Sequence, residues 1–388
     1  MLPPGHGRAT GGPRAGQVRA RGNERLSDHV ALGVLKATFP PDVVDAVIAA
    51  TGRREQRNRL LPAHLVVYYV LAMTFFSSSG YEEVMRSLTE GLSWVSDGAE
   101  HYAVPSQVAI TKARARLGPE PLAELFARTC VPLASKQTPG AFYRDWRLVA
   151  LDGTTIDVAN TTANAEQLGR IGTGRGEVSA FPQLRVVGLS ECGTHAVVAA
   201  AMGSCADRAV ALAKSIVCCL NRDMLCLADL GFTADHLFNE AASTRAALVW
   251  RAKRNAVLPV LVRHADGSFG SELVASDDNG SGEQRRSVRV IEYPITDPRS
   301  PKAEGGTHRL VTTILDPDAA PAAELAALDV KRWRIESIFE ELKANQRAPR
   351  VILRSRTPSG AYQEAWGYLC VHYALRALVH TAAGRGTP

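Results

Sequence analysis

The 388-residue chain has little with which to enter a membrane. Its longest apolar run, "LLPAHLVVYYVLAMTFF", is interrupted by Pro62 and His64 and is short for a bilayer span. No apolar segment at the amino terminus reads as a signal peptide. The chain also lacks a paired-cysteine pattern. Seven cysteines, an odd number with no CxxC among them, argue against both a disulfide framework and a zinc site. Cys218, Cys219 and Cys226 lie in apolar segments and are expected to be small buried hydrophobes. The glycine stretch "GRIGTGRGE" has no Gly-Lys-Ser/Thr ending, so it reads as a loop and not a phosphate cradle. There is no internal repeat. What remains is a cytoplasmic protein of ordinary composition, 46% hydrophobic and 22% charged, long enough for two or three domains.

Residues 1–25 are rich in Gly, Pro and Arg and read as a disordered basic arm. Residues 26–140 carry helical periodicity. Within them, "SQVAITKARARLG" has Ser106 as an N-cap and Gly118 as the residue past the helix end, and a second helix follows Pro119. Lys112, Arg114 and Arg116 crowd the first of these helices. The pair resembles a DNA-binding helical unit, although an ordinary helical hairpin reads equally well. From 141 onward the period changes to that of strands. "WRLVALDGTTIDVA", two strands turning at Glu191–Gly193, "MLCLADLGF" and "AALVWRAK", with helices between the later ones, predict a mixed α/β sheet. Thr233 is the expected cap of the helix "TADHLFNEAAST". About 254–313 is β-like and loop-rich, an insertion. A helix over 322–346 and a final helix "YQEAWGYLCVHYALRALVHTAA" complete the chain.

The net charge of +6 is concentrated. Residues 331–356 hold eight Lys or Arg against three Glu, which suits a polyanionic partner, or simply a solvated basic face. Carboxylates stand where apolar strands should stop: Asp152 in "LVALDGTT" and Asp229 in "MLCLADLGF". A buried strand does not carry an unpaired Asp without cost, and sites of open α/β sheets gather at strand ends. Asp152 alone, before "GTT", would pass as a turn residue. In "KRWRIESIFEELK", Arg332, Glu336 and Lys343 fall within about 40° of one another on a helix. Two Asp and Glu336 would suit a pair of hard divalent cations about 4 Å apart. Asp157 and Asp235 are read as surface or capping residues.

The combination of "LDGTT", "LADLGF" and "RWRIESIFEELK" resembles the DDE transposases of bacterial insertion sequences, and within them the insertion-sequence-four family with its Y-x2-R-x3-E-x6-K signature. Arg332, Glu336 and Lys343 match by identity and spacing. The resemblance implies a ribonuclease H-like mixed sheet with helices on both faces and a β-rich insertion at about 254–313, within a catalytic domain spanning 141–388. An all-helical DNA-binding domain over 26–140 would precede it. It implies Asp152, Asp229 and Glu336 as catalytic metal ligands for two Mg²⁺ ions, with Mn²⁺ as a possible substitute, and Arg332 and Lys343 as phosphate contacts. The implied activity is strand cleavage at terminal inverted repeats and strand transfer into target double-stranded DNA, by a homodimer on paired ends, in the bacterial cytoplasm at the nucleoid. A metal-dependent nuclease of the same fold, or an inactive or truncated relative that only binds DNA, are the alternatives. The chain departs from the pattern at Asp329, where the signature has Tyr, and at Leu230, where a basic residue is frequent. An acid at 329 is expected to face DNA phosphate and weaken activity. Trp250 is a candidate base-stacking residue, with the protein core as its commoner place.

Overall fold

A computed structural model describes residues 33–57, 59–76, 79–95, 104–172, 178–276, 283–294, 307–332 and 352–385. The basic arm and most of "GTGRG" lie outside them. Residues 33–38 are helical, and then come α1 (Pro41–Ala50), α2 (Ala63–Phe75), α3 (Tyr81–Val95), α4 (Gln107–Leu117) and α5 (Glu120–Thr129). Each residue of α2 from Leu65 to Thr74 is buried, so this helix is apolar all round and lies inside the protein. α4 has the caps its sequence announced: the Ser106 hydroxyl accepts from the Ala109 N–H, and Gly118 takes φ 70°.

The sheet follows. Its strands are β1 (Phe142–Tyr143), β2 (Trp146–Val158), β3 (Gln183–Glu191), β4 (Val197–Ser204), β5 (Met224–Ala228), β6 (Ala247–Arg251), β7 (Val262–Arg263), β8 (Phe269–Ser276), β9 (Glu283–Pro294), β10 (Thr307–Thr312) and β11 (Ile352–Leu353). The order is β4-β3-β2-β5-β6-β10-β9-β8-β7, with β1 and β11 also on β2. β2, β3 and β4 pair antiparallel, while β5 and β6 run parallel to β2. This is the expected ribonuclease H-like mixed sheet. The predicted insertion supplies β7 to β10, which continue the sheet from β6 in antiparallel pairs.

Both faces are covered. Along β2, Leu148, Ala150, Ile156 and Val158 enter one core, Val149 and Leu151 the other, the two-residue period of a strand. The first core also holds α2, α4, α5, the end of α6 (Thr162–Leu168), the start of α9 (Ala322–Arg332) and the last helix α10 (Pro358–Arg385). The second holds part of α7 (Ala209–Lys214), α8 (Asp235–Ser243) and the β8–β9 hairpin. A Cβ on Gly367 would stand 2.9 Å from Val70, so glycine permits the close crossing of α10 over α2. No described helix is long and apolar enough to cross a membrane.

Several local expectations change. Cys218 and Cys219 are exposed, because the segment ends in a surface 3₁₀ turn; only Cys226 of the three is buried. Thr233 does not cap α8. Its hydroxyl donates to the Leu230 carbonyl, and Ala234 takes the N-cap position without a side-chain bond. Asp157 is not at the surface: it is buried in β2 and accepts from the Gln183 amide at 2.8 Å.

Candidate active site

The two aspartates meet through strand register. Leu151 of β2 pairs with Ala228 of β5, so Asp152 and Asp229 are the next residues on adjacent parallel strands, which run about 5 Å apart. β5 ends at Ala228, as its carboxylate suggested. β2 does not end at Asp152; it continues to Val158 and outruns its neighbour. Asp152 is therefore uncovered because β5 stops beside it. The Asp152 Oδ1 accepts the Gly153 N–H at 2.7 Å. Asp229 extends into a 3₁₀ turn over Leu230–Phe232, and its Oδ1 accepts the Gly231 N–H at 2.8 Å. These short local bonds hold the carboxylates in place and balance part of their negative charge.

Alternation also fixes the face. Asp152 has the parity of Leu148, Ala150 and Ile156, which belong to the core shared with Leu325 and Leu328 of α9. The aspartate therefore points to the face on which α9 lies. Arg332 is the last residue of α9; its side chain, together with Glu336 and Lys343, falls outside the described residues. The structure thus brings Asp152 and Asp229 together and lays the helix leading to Glu336 over the same face. Among the described residues no three metal-ligating side chains form one cluster. The two aspartates offer only carboxylate oxygens on a half-open surface, a donor set that fits a hard divalent cation.

Asp329 is a correction. It does not face bound DNA. It is 1% exposed and accepts from Arg251 Nε at 2.8 Å and from the Tyr293 hydroxyl. Arg251, itself 6% exposed, is the residue after Trp250, and Trp250 pairs with Ala228. Arg251 therefore stands level with Asp229 on the next strand and ties α9 to that end of the sheet. Burial, and then the Asp329 charge, push the Tyr293 phenol up, so it remains a donor. The sequence held a signal for this: Arg251 closes the apolar strand "AALVWR" as Asp229 closes "MLCLAD". Trp250 is a core residue, 3% exposed and set edge-on to Phe238.

The N-terminal cations divide. Arg114 is corrected from a DNA contact to an internal clamp. It is buried, donating from Nε to Gln363 at 2.8 Å and from Nη2 to the Ser355 hydroxyl at 2.8 Å and the Gly360 carbonyl at 3.3 Å. Ser355 and Arg354 donate their N–H groups to Glu364 of α10. Lys112 and Arg116 are on the surface. Asp235 opens α8 at the surface, as expected, although partial burial lifts its carboxyl pKa.

Two family models match the chain: "Insertion element 4 transposase N-terminal" over residues 29–127 and "Transposase DDE domain" over residues 144–373. The transposase InsG for insertion sequence element IS4 of Escherichia coli is 25% identical over 338 residues, which cover 87% of this chain and 74% of InsG. The putative transposase InsZ of the same organism is 22% identical, over 68% of this chain and 90% of InsZ. The piggyBac transposase, solved as a synaptic complex with hairpin DNA, aligns over 92% of this chain and 76% of its own at 12% identity and a TM-score of 0.46. With the second model spanning more than half of its length, the chain belongs to the DDE transposases, enzymes of DNA transposition, and its N-terminal region is of the insertion-element-4 type.

Proposed function

We propose that this transposase cuts DNA at the terminal inverted repeats of an insertion sequence and joins the freed ends to target DNA. Its catalytic residues are Asp152, Asp229 and Glu336. The observation that carries this reading is the register of β2 and β5, which sets the two aspartates side by side on the face that α9 covers. Asp152 and Asp229, with Glu336, would hold two divalent cations, Mg²⁺ or in its place Mn²⁺. Bound there, they would stabilise the attacking and leaving oxygens of a phosphate displacement. Asp152 and Asp229 sit on a rigid sheet, so their spacing costs no rearrangement when substrate arrives. Arg332 and Lys343 hold the scissile strand's phosphates, and a homodimer pairs the two ends.

The test is cleavage of duplex carrying the element's own ends, with and without Mg²⁺, by the unsubstituted chain and by Glu336→Gln. The expected result is metal-dependent cutting and joining by the first and end binding alone by the second. Cutting without joining would identify a nuclease, and binding without cutting by the unsubstituted chain would identify a DNA-binding relative. Cleavage by Glu336→Gln at the unsubstituted rate would remove Glu336 from the site.

A further inference from the structure

The loop between α1 and α2 supplies Arg53, Arg54, Glu55 and Arg59 to one wall of a cationic cavity. The cavity has a volume of about 280 Å³ and is lined by Arg53, Arg54, Arg59 and Arg116, with Glu55 as the one acidic residue on its walls. Its floor is apolar, formed by Ala63, Val66, Ala113 and Leu117. The walls are fixed. Gly52, at φ 68°, ends α1 in the left-handed conformation, and the Arg53 N–H returns to the Ile48 carbonyl at 2.9 Å. Arg53 donates to Glu120 at 3.0 Å and to the Arg116 carbonyl at 3.3 Å. Arg116 donates to the Leu61 carbonyl at 3.2 Å. Glu55 accepts the Ala63 N–H at 3.0 Å and lies 3.9 Å from Arg59 and 3.6 Å from Arg116. Two carboxylates, Glu55 on the wall and Glu120 beside Arg53, thus meet three of the cavity's four guanidiniums, and Arg54 is exposed at the rim. Lys112, four residues before Arg116 on α4, lies on the same helix face and extends the positive surface by one turn.

We propose that this cavity seats a backbone phosphate of the bound DNA duplex and is the anchoring contact of the N-terminal helices. Guanidiniums held in a fixed fork match phosphate geometry and lose little side-chain freedom on binding. None of the elements involved carries a residue of the carboxylate site, so this contact positions the duplex and reads no sequence. The inference rests on the proposed action on DNA but not on the assignment of Asp152, Asp229 and Glu336.

The test is fluorescence anisotropy of a labelled duplex carrying the element's end, titrated with the full chain over a range of salt. The variants are Arg54→Glu, Arg59→Ala and the pair Arg54→Lys/Arg59→Lys, with thermal unfolding of each as the fold control. Arg54 and Arg59 are exposed, so all three variants are expected to melt as the unsubstituted chain does. Arg54→Glu and Arg59→Ala should each weaken binding on the order of 10-fold at low salt. Each should also lower the slope of log affinity against log salt by about 0.9, the value for one phosphate contact on B-DNA. The Lys pair should keep the slope and lose only part of the affinity. Unchanged slope and affinity in Arg54→Glu and Arg59→Ala, with the unsubstituted chain binding, would overturn the cavity assignment alone. No binding by the unsubstituted chain would instead overturn the action on DNA from which the assignment starts.

Discussion

Arg114 and Arg116 are two residues apart on one helix and do opposite things. Arg114 points inward and is spent on Gln363, Ser355 and Gly360, while Arg116 points outward into a cavity that stays open. The acids divide in the same way. Asp329 is locked between Arg251 and Tyr293, and Asp152 stands half-open where β5 stops. An ionic group enclosed with its partners holds the protein together; one left half-open at a surface can be reached by a substrate. Sign and sequence position do not separate the two kinds. Burial does.

The largest expected effect breaks the outward class. Asp152→Asn should lower single-turnover end cleavage by at least about 10³-fold, since it removes one carboxylate of a charge-stabilising set, and should leave the melting temperature within the error of calorimetry. A matching fall in stability would place Asp152 with the inward group. Arg114→Met should do the reverse, destabilising the fold by about 3–5 kcal/mol in urea titration because its acceptors on α10 and in the preceding segment stay buried and lose their donor. Asp329→Leu should cost a comparable amount by removing the buried carboxylate that Arg251 meets, whereas the double substitution Asp329→Leu/Arg251→Met should recover most of it. If the double variant were as unstable as the single, the pair would be contributing more than mutual neutralisation. The smallest effect is on Lys112→Ala. As an exposed residue on the same side of α4 as Arg116, it should change stability by under about 0.5 kcal/mol while reducing the salt slope of DNA binding.

The strands, the mixed sheet and most helices were legible because alternation and 3.6-residue spacing are local properties. Ser106 and Gly118 announced their helix for the same reason. The carboxylates were legible as interruptions of apolar runs, but Asp152 was placed at a strand end it does not occupy. What uncovers it is the length of β5, a property of the neighbouring strand. Direction around a helix was the other loss. Charge counting on "ITKARARL" treats Lys112, Arg114 and Arg116 alike, and only the packing of α10 against α4 decides which guanidinium is enclosed. For Asp329, matching to a signature drew attention to the missing Tyr. The structure instead supplies a phenol to that place from Tyr293 on β9, a partner 36 residues distant in the chain.

The short strand β11 pairs parallel with β2 at Asp157 and Val158, five and six residues beyond Asp152. The chain therefore leaves α9 at Arg332, pinned to β6 by the Asp329–Arg251 pair, and returns at Ile352 to the same strand that bears the first aspartate. The described residues on either side of the segment that carries Glu336 are therefore both tied to the sheet. Chain-closure entropy depends only weakly on the length of such a span: even doubling it costs about 0.6 kcal/mol. An insertion of one or two residues in that segment should leave the melting temperature nearly unchanged and, on the role proposed for Glu336, should abolish end cleavage.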